Sequence, residues 1–485
     1  MTARACPALH PKVVLFVIPL KTYDDRRWEA LGPTWIEVDL DALTSNLTEI
    51  AAYVRRPPAP ETASFLARHG LRPPTGAPRV MVVVKGNAYG HGAVEVARAA
   101  TEAGADALGV STLAEALELR QAGIMIPILM FNPLTPEEAS VAAQAAVTAT
   151  LTSLESAERF AAQARRTGVP GGLPVHVAVD TGMSRFGVLP EALPEFAQRV
   201  AALAGLRLEG LYTHFSAGSD EGPASLARMR RQLERFGRAA AAVEARGLVV
   251  PLRHAACSSA VLRLPESYLD MVRVGNLFYG FGPAGGPPGV REAWALYTRV
   301  LEVRDVPAGT GVGYGPDVTM RAPTRLATVP IGYADGAGVS VTTTTLRTRL
   351  RLKRLGQRIA LWFYRHLAGA GSGGRRPGNS MPDGRRPAAG PPARLAGLAR
   401  EAAIFLYEGE PIDIVGRISM QQTILRVTNQ PEIGVGTVIC VRVPRVLASP
   451  RLGRVYFTDG QAIAARTPSG LAEAAAGWDF PGPVR

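Results

Sequence analysis

The 485-residue sequence has very little cysteine, and Cys6, Cys257 and Cys440 are far apart with no metal-ligand spacing. That scarcity excludes a disulfide-stapled secreted scaffold and a cysteine-built metal site, and it predicts reduced thiols and a cytoplasmic home. Long apolar runs are missing too. The longest near the start, Val13–Leu20, is too short to span a bilayer, and no small-residue cleavage site follows it. Acidic residues are conspicuously rare in one place. Between Leu346 and Arg400 thirteen Lys/Arg face the single acid Asp383, which accounts for +12 of the formal net charge of +13. The rest of the chain is close to neutral, so the basic balance belongs to one segment and predicts no nucleic-acid partner.

What is present is a globular composition, 47% hydrophobic with 51 glycines and 39 prolines, in a chain long enough for two or three domains. Residues 1–34 have no clear periodicity and read as an N-terminal extension. From Trp35 short apolar runs alternate with helical ones: WIEVDL (35–40) then LDALTSNLTEIAAYV, VMVVV (80–84) then Ala93–Ala103, and so on to DMVRVGNLFYG (270–280). About eight such cycles over roughly 250 residues predict parallel pairing and an α/β fold, a (β/α)8 TIM barrel over 35–294. Periodicity alone leaves a doubly wound open sheet as the alternative. After about residue 295, β-branched runs such as TRLATVPIGYA and IDIVGRISMQQTILRV predict a C-terminal β-rich domain over 295–446, with a tail at 447–485 of unreadable role. The basic insertion at about 346–400 interrupts it. Its Gly/Pro/Arg-rich middle reads as disordered. Its first part places Leu352, Leu355, Ile359, Trp362 and Phe363 at helical spacing between basic residues, a stripe that either packs locally or lies on an acidic surface.

The sharpest chemical feature is VVVKGNAYGHG (82–92). A buried strand ending in Lys85 puts an amine at the carboxyl end of a barrel strand, where such folds keep their sites. Desolvation there disfavours the ammonium form, as a Schiff-base lysine requires. A rim charge is the plainer alternative. Gly86, Gly90 and Gly92 allow the backbone to turn sharply beneath a bulky ligand.

VVVKGNAYGHG closely resembles the cofactor-lysine signature of alanine racemases, fold-type III enzymes that use pyridoxal 5'-phosphate. Further motifs similar to theirs follow in order: VDTGMSRFGV (179–188), LYTHFS (211–216), HAACSSA (254–260), DMVRVGNLFYG, VGYGPD (312–317), IGYADG (331–336), VGRISMQQ (415–422) and VRVPR (441–445). The resemblance covers about three-quarters of the chain. It implies that Lys85 carries the cofactor and acts as one acid/base, that Tyr89 reaches its phosphate, and that Ser258 cradles the phosphate with backbone amides near Gly275 and Asn276. It implies that His214 packs on the pyridine ring and that Arg185 meets the substrate carboxylate. Arg273 would face the pyridine nitrogen, where most enzymes of this chemistry place a carboxylate. Arginine can only donate, so the nitrogen would stay unprotonated and the carbanion short-lived, which favours reprotonation over transamination. Tyr314 in VGYGPD would be the second, opposite-face base. In the family it comes from the partner subunit, with Tyr333 and Met420 completing the partner's site, so a head-to-tail homodimer acting on a small amino acid is implied.

The expected activity is interconversion of L- and D-alanine, supplying D-alanine for peptidoglycan. A serine or broad-specificity racemase, and a degenerate non-catalytic cofactor-binding protein, are the alternatives. Several positions depart from the family pattern. Ala178 stands where many members have a lysine, Cys257 replaces the usual Asn, Gln421 the Asp of MDQ, and Val441 a phosphate-binding tyrosine. The stretch between GTVI and CVRVPR is also shortened.

Overall fold

The run at Val80–Val83 is buried at every position, none more than 7% exposed, which is the mark of a strand covered on both faces. In the computed structural model, which describes residues 31–466 except 75, 136, 169–170, 218–221, 282–286, 288, 316–317 and 340–402, that run is one of eight parallel strands. The first strand of the chain, β1 (Thr34–Asp39), lies outside this set. The eight are β2 (Arg79–Val83), β3 (Ala107–Val110), β4 (Ile128–Pro133), β5 (Val147–Leu151), β6 (Leu173–Ala178), β7 (Leu206–Tyr212), β8 (Leu252–His254) and β9 (Met271–Val274). From β2 to β8 each pairs with the next, and β9 pairs with β2, Arg79 opposite Met271. Bonds from Asp270 N to Arg253 O (3.0 Å) and from Arg273 N to Ala256 O (3.0 Å) close the ring between β8 and β9. The result is a (β/α)8 barrel within a compact unit, Asp39–Ala293.

Local signals set the helices between these strands. Thr112 and Glu115 form a reciprocal capping box at the start of Leu113–Gln121, and Ser153 caps Leu154–Thr167, which ends on Gly168 in the left-handed region (φ 65°). Inside the barrel Met81, Ala107, Leu129 and Met271 form one packed layer with Phe131 against it. Gly109 on β3 is required there, since a Cβ would lie 2.6 Å from the Phe131 ring.

The second unit is a ten-stranded sheet. Besides β1 it contains β10 (Trp294–Arg299), β11 (Glu302–Val306), β14 (Thr324–Val329), β15 (Phe405–Tyr407), β16 (Glu410–Ile414), β17 (Thr423–Arg426), β18 (Val438–Val441), β19 (Gly453–Thr458) and β20 (Gln461–Arg466). A small hairpin, β12 (Gly311–Val312) and β13 (Val318–Thr319), stands apart from the sheet. Strand β1 corrects a sequence expectation. WIEVDL reads as the first barrel strand because a helix follows it directly, yet β1 pairs antiparallel with β10, Ile36 opposite Leu296. Trp35 and Tyr297 pack at 5.8 Å in a cluster with Leu31, Val455 and Phe457. The barrel cycle therefore opens on the helix Leu40–Val54, and β1 belongs to the sheet unit. Residues 453–466, unreadable in sequence, form a hairpin on the other side of β1. The basic insertion and its amphipathic stretch lie outside the described residues. Among the described residues no helix is long and apolar enough to cross a membrane.

Candidate active site

Beyond β2 the backbone does something L-residues seldom do. Gly86, Asn87, Ala88 and Tyr89 all have φ between 53° and 62°, a left-handed helical turn directly after Lys85. Each non-glycine residue in that region costs roughly 1–2 kcal/mol. The turn is held by bonds from Ala88 N to Val84 O (2.7 Å), from Gly90 N to Gly86 O (3.1 Å) and from Ala93 N to Asn87 Oδ1 (2.8 Å). Gly86 N donates outward, to Glu115 Oε1 at 2.6 Å. The turn brings Lys85 and Tyr89 to one cavity.

That cavity, about 700 Å³, sits at the carboxyl ends of the barrel strands, and Lys85, Tyr89, Arg185, His214, Ser258, Arg273, Gly275 and Asn276 all line it. Its polar groups fall into two sets. At one end Ser258 Oγ accepts from Gly275 N (3.0 Å) and Leu277 N (3.2 Å), leaving the hydroxyl proton to donate. Gly275 has to be glycine, because a Cβ would lie 2.6 Å from the Tyr89 hydroxyl. Two hydroxyls and a glycine-lined backbone in close approach suit a phosphate dianion.

At the other end are cations. Burial lowers the Lys85 amine from its usual range, Arg185 and Arg273 push it the same way, and Glu115 opposes them. Arg273 is 3% exposed, and burial pushes it down to about 10. It donates to His254 Nδ1 (2.8 Å), Thr213 O (2.7 Å) and Ala255 O (3.1 Å), and its guanidinium lies over the Tyr212 ring at 5.4 Å. Arginine only donates, so His254 Nδ1 accepts and its proton sits on Nε2. That proton is donated to His176 Nδ1 at 2.9 Å, which places the His176 proton on Nε2. Burial, then Arg273, holds His254 well below its usual value and His176 at about 3. His214 is likewise held at about 3 by burial and then by Arg273, Arg185 and Lys85. All three imidazoles are neutral at working pH.

The sheet unit holds the remaining candidates. Tyr314 stands at the tip of the β12–β13 hairpin, 75% exposed. It lines a cavity of about 600 Å³ with Met420, Gln421 and Asp335. Tyr333 N donates to Ser419 O at 3.1 Å, and Gly332 allows this approach because a Cβ would collide with that oxygen. Tyr333 and Met420 are 50% and 58% exposed. The departures fall in distinct places. Ala178 is buried at the end of β6, Cys257 lines the barrel cavity with Sγ 3.4 Å from Ser259 Oγ, and Val441 is packed inside the sheet opposite Leu296 and Phe405.

Sequence reasoning missed Glu115, Phe131, Tyr212 and His254. Phe131 has the Lys85 amine 6.0 Å from its ring centre, and Tyr212 stacks on His254 at 5.0 Å. Strand alternation offered a signal for Tyr212, which is two residues before His214 and so shares its face. The Thr112-x-x-Glu115 spacing marked Glu115 as a helix cap but not as a neighbour of Lys85, and nothing local marked the contacts of Phe131 and His254, whose partners are distant in sequence.

Residues 67–283 match the family model for the N-terminal domain of alanine racemase, and residues 293–357 that for its C-terminal domain. The alanine racemase of Desulfovibrio desulfuricans is 40% identical over 307 residues, which cover 63% of this chain and 76% of that protein. That of Desulforamulus reducens is 39% identical over 310 residues, covering 63% and 77%. Among solved structures, alanine racemase from Clostridium difficile 630 superposes with a TM-score of 0.67 at 26% identity, over 90% of this chain and 98% of that one. The Streptomyces coelicolor enzyme gives 0.63 at 28% identity, over 89% and 100%. With both domains matched in order and relatives this similar over three-quarters of their length, the chain belongs to the alanine racemase family.

Proposed function

We propose that the chain interconverts L-alanine and D-alanine with pyridoxal 5'-phosphate by two-base proton transfer, supplying D-alanine for peptidoglycan. One observation carries the reading: a desolvated Lys85 amine shares a single cavity with a phosphate-shaped hydroxyl and glycine cradle and with Arg273. Tyr89, Ser258 and the amides of Gly275 and Asn276 would hold the cofactor phosphate, and neutral His214 would lie against the ring. The cofactor, when bound, supplies the electron sink that makes the substrate Cα–H acidic. Arg273, held in place by its bonds to His254 and two carbonyls, would face the ring nitrogen of the bound cofactor and, as a pure donor, would leave it unprotonated. Arg185 takes the substrate carboxylate. Lys85 Nζ, poor in protons for a lysine, takes or returns the Cα proton on one face.

Tyr314 is the proton carrier for the other face, contributed by the partner of a head-to-tail homodimer. Its exposure, and that of Tyr333 and Met420, supports this, since a proton-transferring tyrosine needs an enclosed site that a second copy would supply. Tyr314→Phe should slow removal of the L-enantiomer proton by about two to four orders of magnitude while leaving cofactor binding intact. Lys85→Ala and Tyr314→Phe homodimers are each expected to be inactive. After subunit exchange about half the dimers are mixed with one intact site each, so up to roughly a quarter of the activity should return. Exchange without recovery would place both bases in one chain and reject the shared site.

A further inference from the structure

Glu115 belongs to the helix Leu113–Gln121, yet it does more there than cap. Its Oε2 accepts from Ser111 N (2.8 Å) and Thr112 N (3.1 Å), closing the capping box after β3. Its Oε1 accepts from Gly86 N at 2.6 Å, across to the turn after β2. One carboxylate thus ties together the turn that follows Lys85 and the turn that places Ser111 on the same cavity wall. The bond falls on the first residue of the left-handed turn, Gly86 (φ 62°), where a loosened backbone would redirect the amine beside it. The carboxylate also answers a charge problem. Arg185 and Arg273 face Lys85 from the segment after β6 and from β9, with Arg263 on the same wall, while His214 is neutral and Tyr89, Tyr212 and Cys257 are the other titratable groups there. Of the charged side chains that act on Lys85, Glu115 is the one that favours its ammonium form.

We infer that Glu115 is a positioning residue for Lys85, clamping the left-handed turn through Gly86 and supplying the negative charge that balances the two guanidinium groups around the amine. The inference rests on the functional reading above, in which Nζ has both to take a proton and to return it. A lysine stripped of all counter-charge takes the proton poorly. The amine must keep an affinity for protons near working pH, and Glu115 provides it.

The test reads the amine directly. Lys85 is one of only four lysines in the chain, with Lys12, Lys21 and Lys353, so its modification is easily assigned by peptide mass. In the cofactor-stripped full-length chain, the rate of trinitrobenzenesulfonate labelling of Lys85 is followed against pH. Glu115→Gln keeps an oxygen acceptor for Gly86 N but removes the charge, and should move the labelling midpoint down by about one pH unit or more. Glu115→Asp keeps the charge and should recover most of that shift. The acid limb of the racemisation profile should move with the same ordering. A Gln variant that melts lower while its labelling midpoint matches the wild type would reduce Glu115 to a helix cap and overturn the inference. So would an Asp variant shifted as far as Gln. A wild-type chain that takes up no cofactor, yet shows the Gln-dependent shift, would reject the functional reading and keep the assignment of Glu115 to Lys85.

Discussion

The two mouths of the barrel hold cavities of nearly equal size, about 700 Å³ at the carboxyl ends of the strands and about 730 Å³ at the amino ends, and both are rich in charge. They treat that charge oppositely. At the amino-terminal mouth most charges come in pairs: Arg253 with Asp270 at 2.8 Å, Arg72 with Glu244 at 3.2 Å, Arg207 with Glu209 at 2.8 Å, Arg55 with Asp106 at 3.5 Å. At the carboxyl-terminal mouth Lys85, Arg185 and Arg273 crowd one cavity, and among the described residues none of them forms a salt bridge. Pairing a buried charge offsets its desolvation, and leaving it unpaired costs stability but keeps the charge available to a ligand. The Arg273–His254–His176 chain crosses the barrel between the two, and His176 reaches the amino-terminal cavity.

This contrast can be broken experimentally. The largest effect is expected at the active mouth. Lys85→Ala should abolish the yellow, borohydride-reducible chromophore and lower turnover by at least about 10⁴-fold, with little change in melting temperature. A reducible cofactor adduct in that variant would remove Lys85 from its role. Next in size is the amino-terminal mouth. Arg253→Met leaves Asp270, which is 7% exposed, with only the more distant Arg72 guanidinium at 4.0 Å and the backbone N of residue 253, and should cost up to about 3–5 kcal/mol in urea unfolding without changing kcat. Loss of turnover in a chain that remains folded would show that the two mouths are not separable.

The relay between them should be legible in acid. His176 is neutral in the folded chain down to about pH 3 and protonates below its ordinary value of 6.5 when unfolded. Its contribution to stability is therefore fully present above pH 6.5 and is lost as the pH falls toward 3, at about 1.4 kcal/mol per pH unit. His176→Gln should flatten the fall of unfolding free energy between those limits by one proton's worth, and an unchanged slope would contradict the assignment of a neutral imidazole. The smallest effect is expected at the exposed pair: Arg207→Ala should change stability by less than about 1 kcal/mol, as urea midpoints would report.

Much of this was legible in advance because it is local. Val80–Val84 is apolar at every position, so it reads as a strand covered on both faces, and its ending in a lysine before three glycines reads as a site. The departures were equally plain in the one-dimensional text. Other features were hidden because a strand's pattern names its buried faces and not its neighbour. WIEVD suits a parallel barrel or an antiparallel sheet equally, and the match of Trp35 to Tyr297 more than 250 residues away decided it. The hairpin at 453–466 had the same ambiguity.

The sequence by itself determined most strands and helices of the barrel region and which residue types carry chemistry, since periodicity and turn chemistry act over a few residues. Only the tertiary structure decided how those residues are charged and held. Glu115 meets Gly86 across 29 positions, Arg273 meets His254 across 19, and His254 meets His176 across 78. Proton affinity depends on burial and on charges a few ångströms away, and both of these arise only when strands distant in sequence close into a ring.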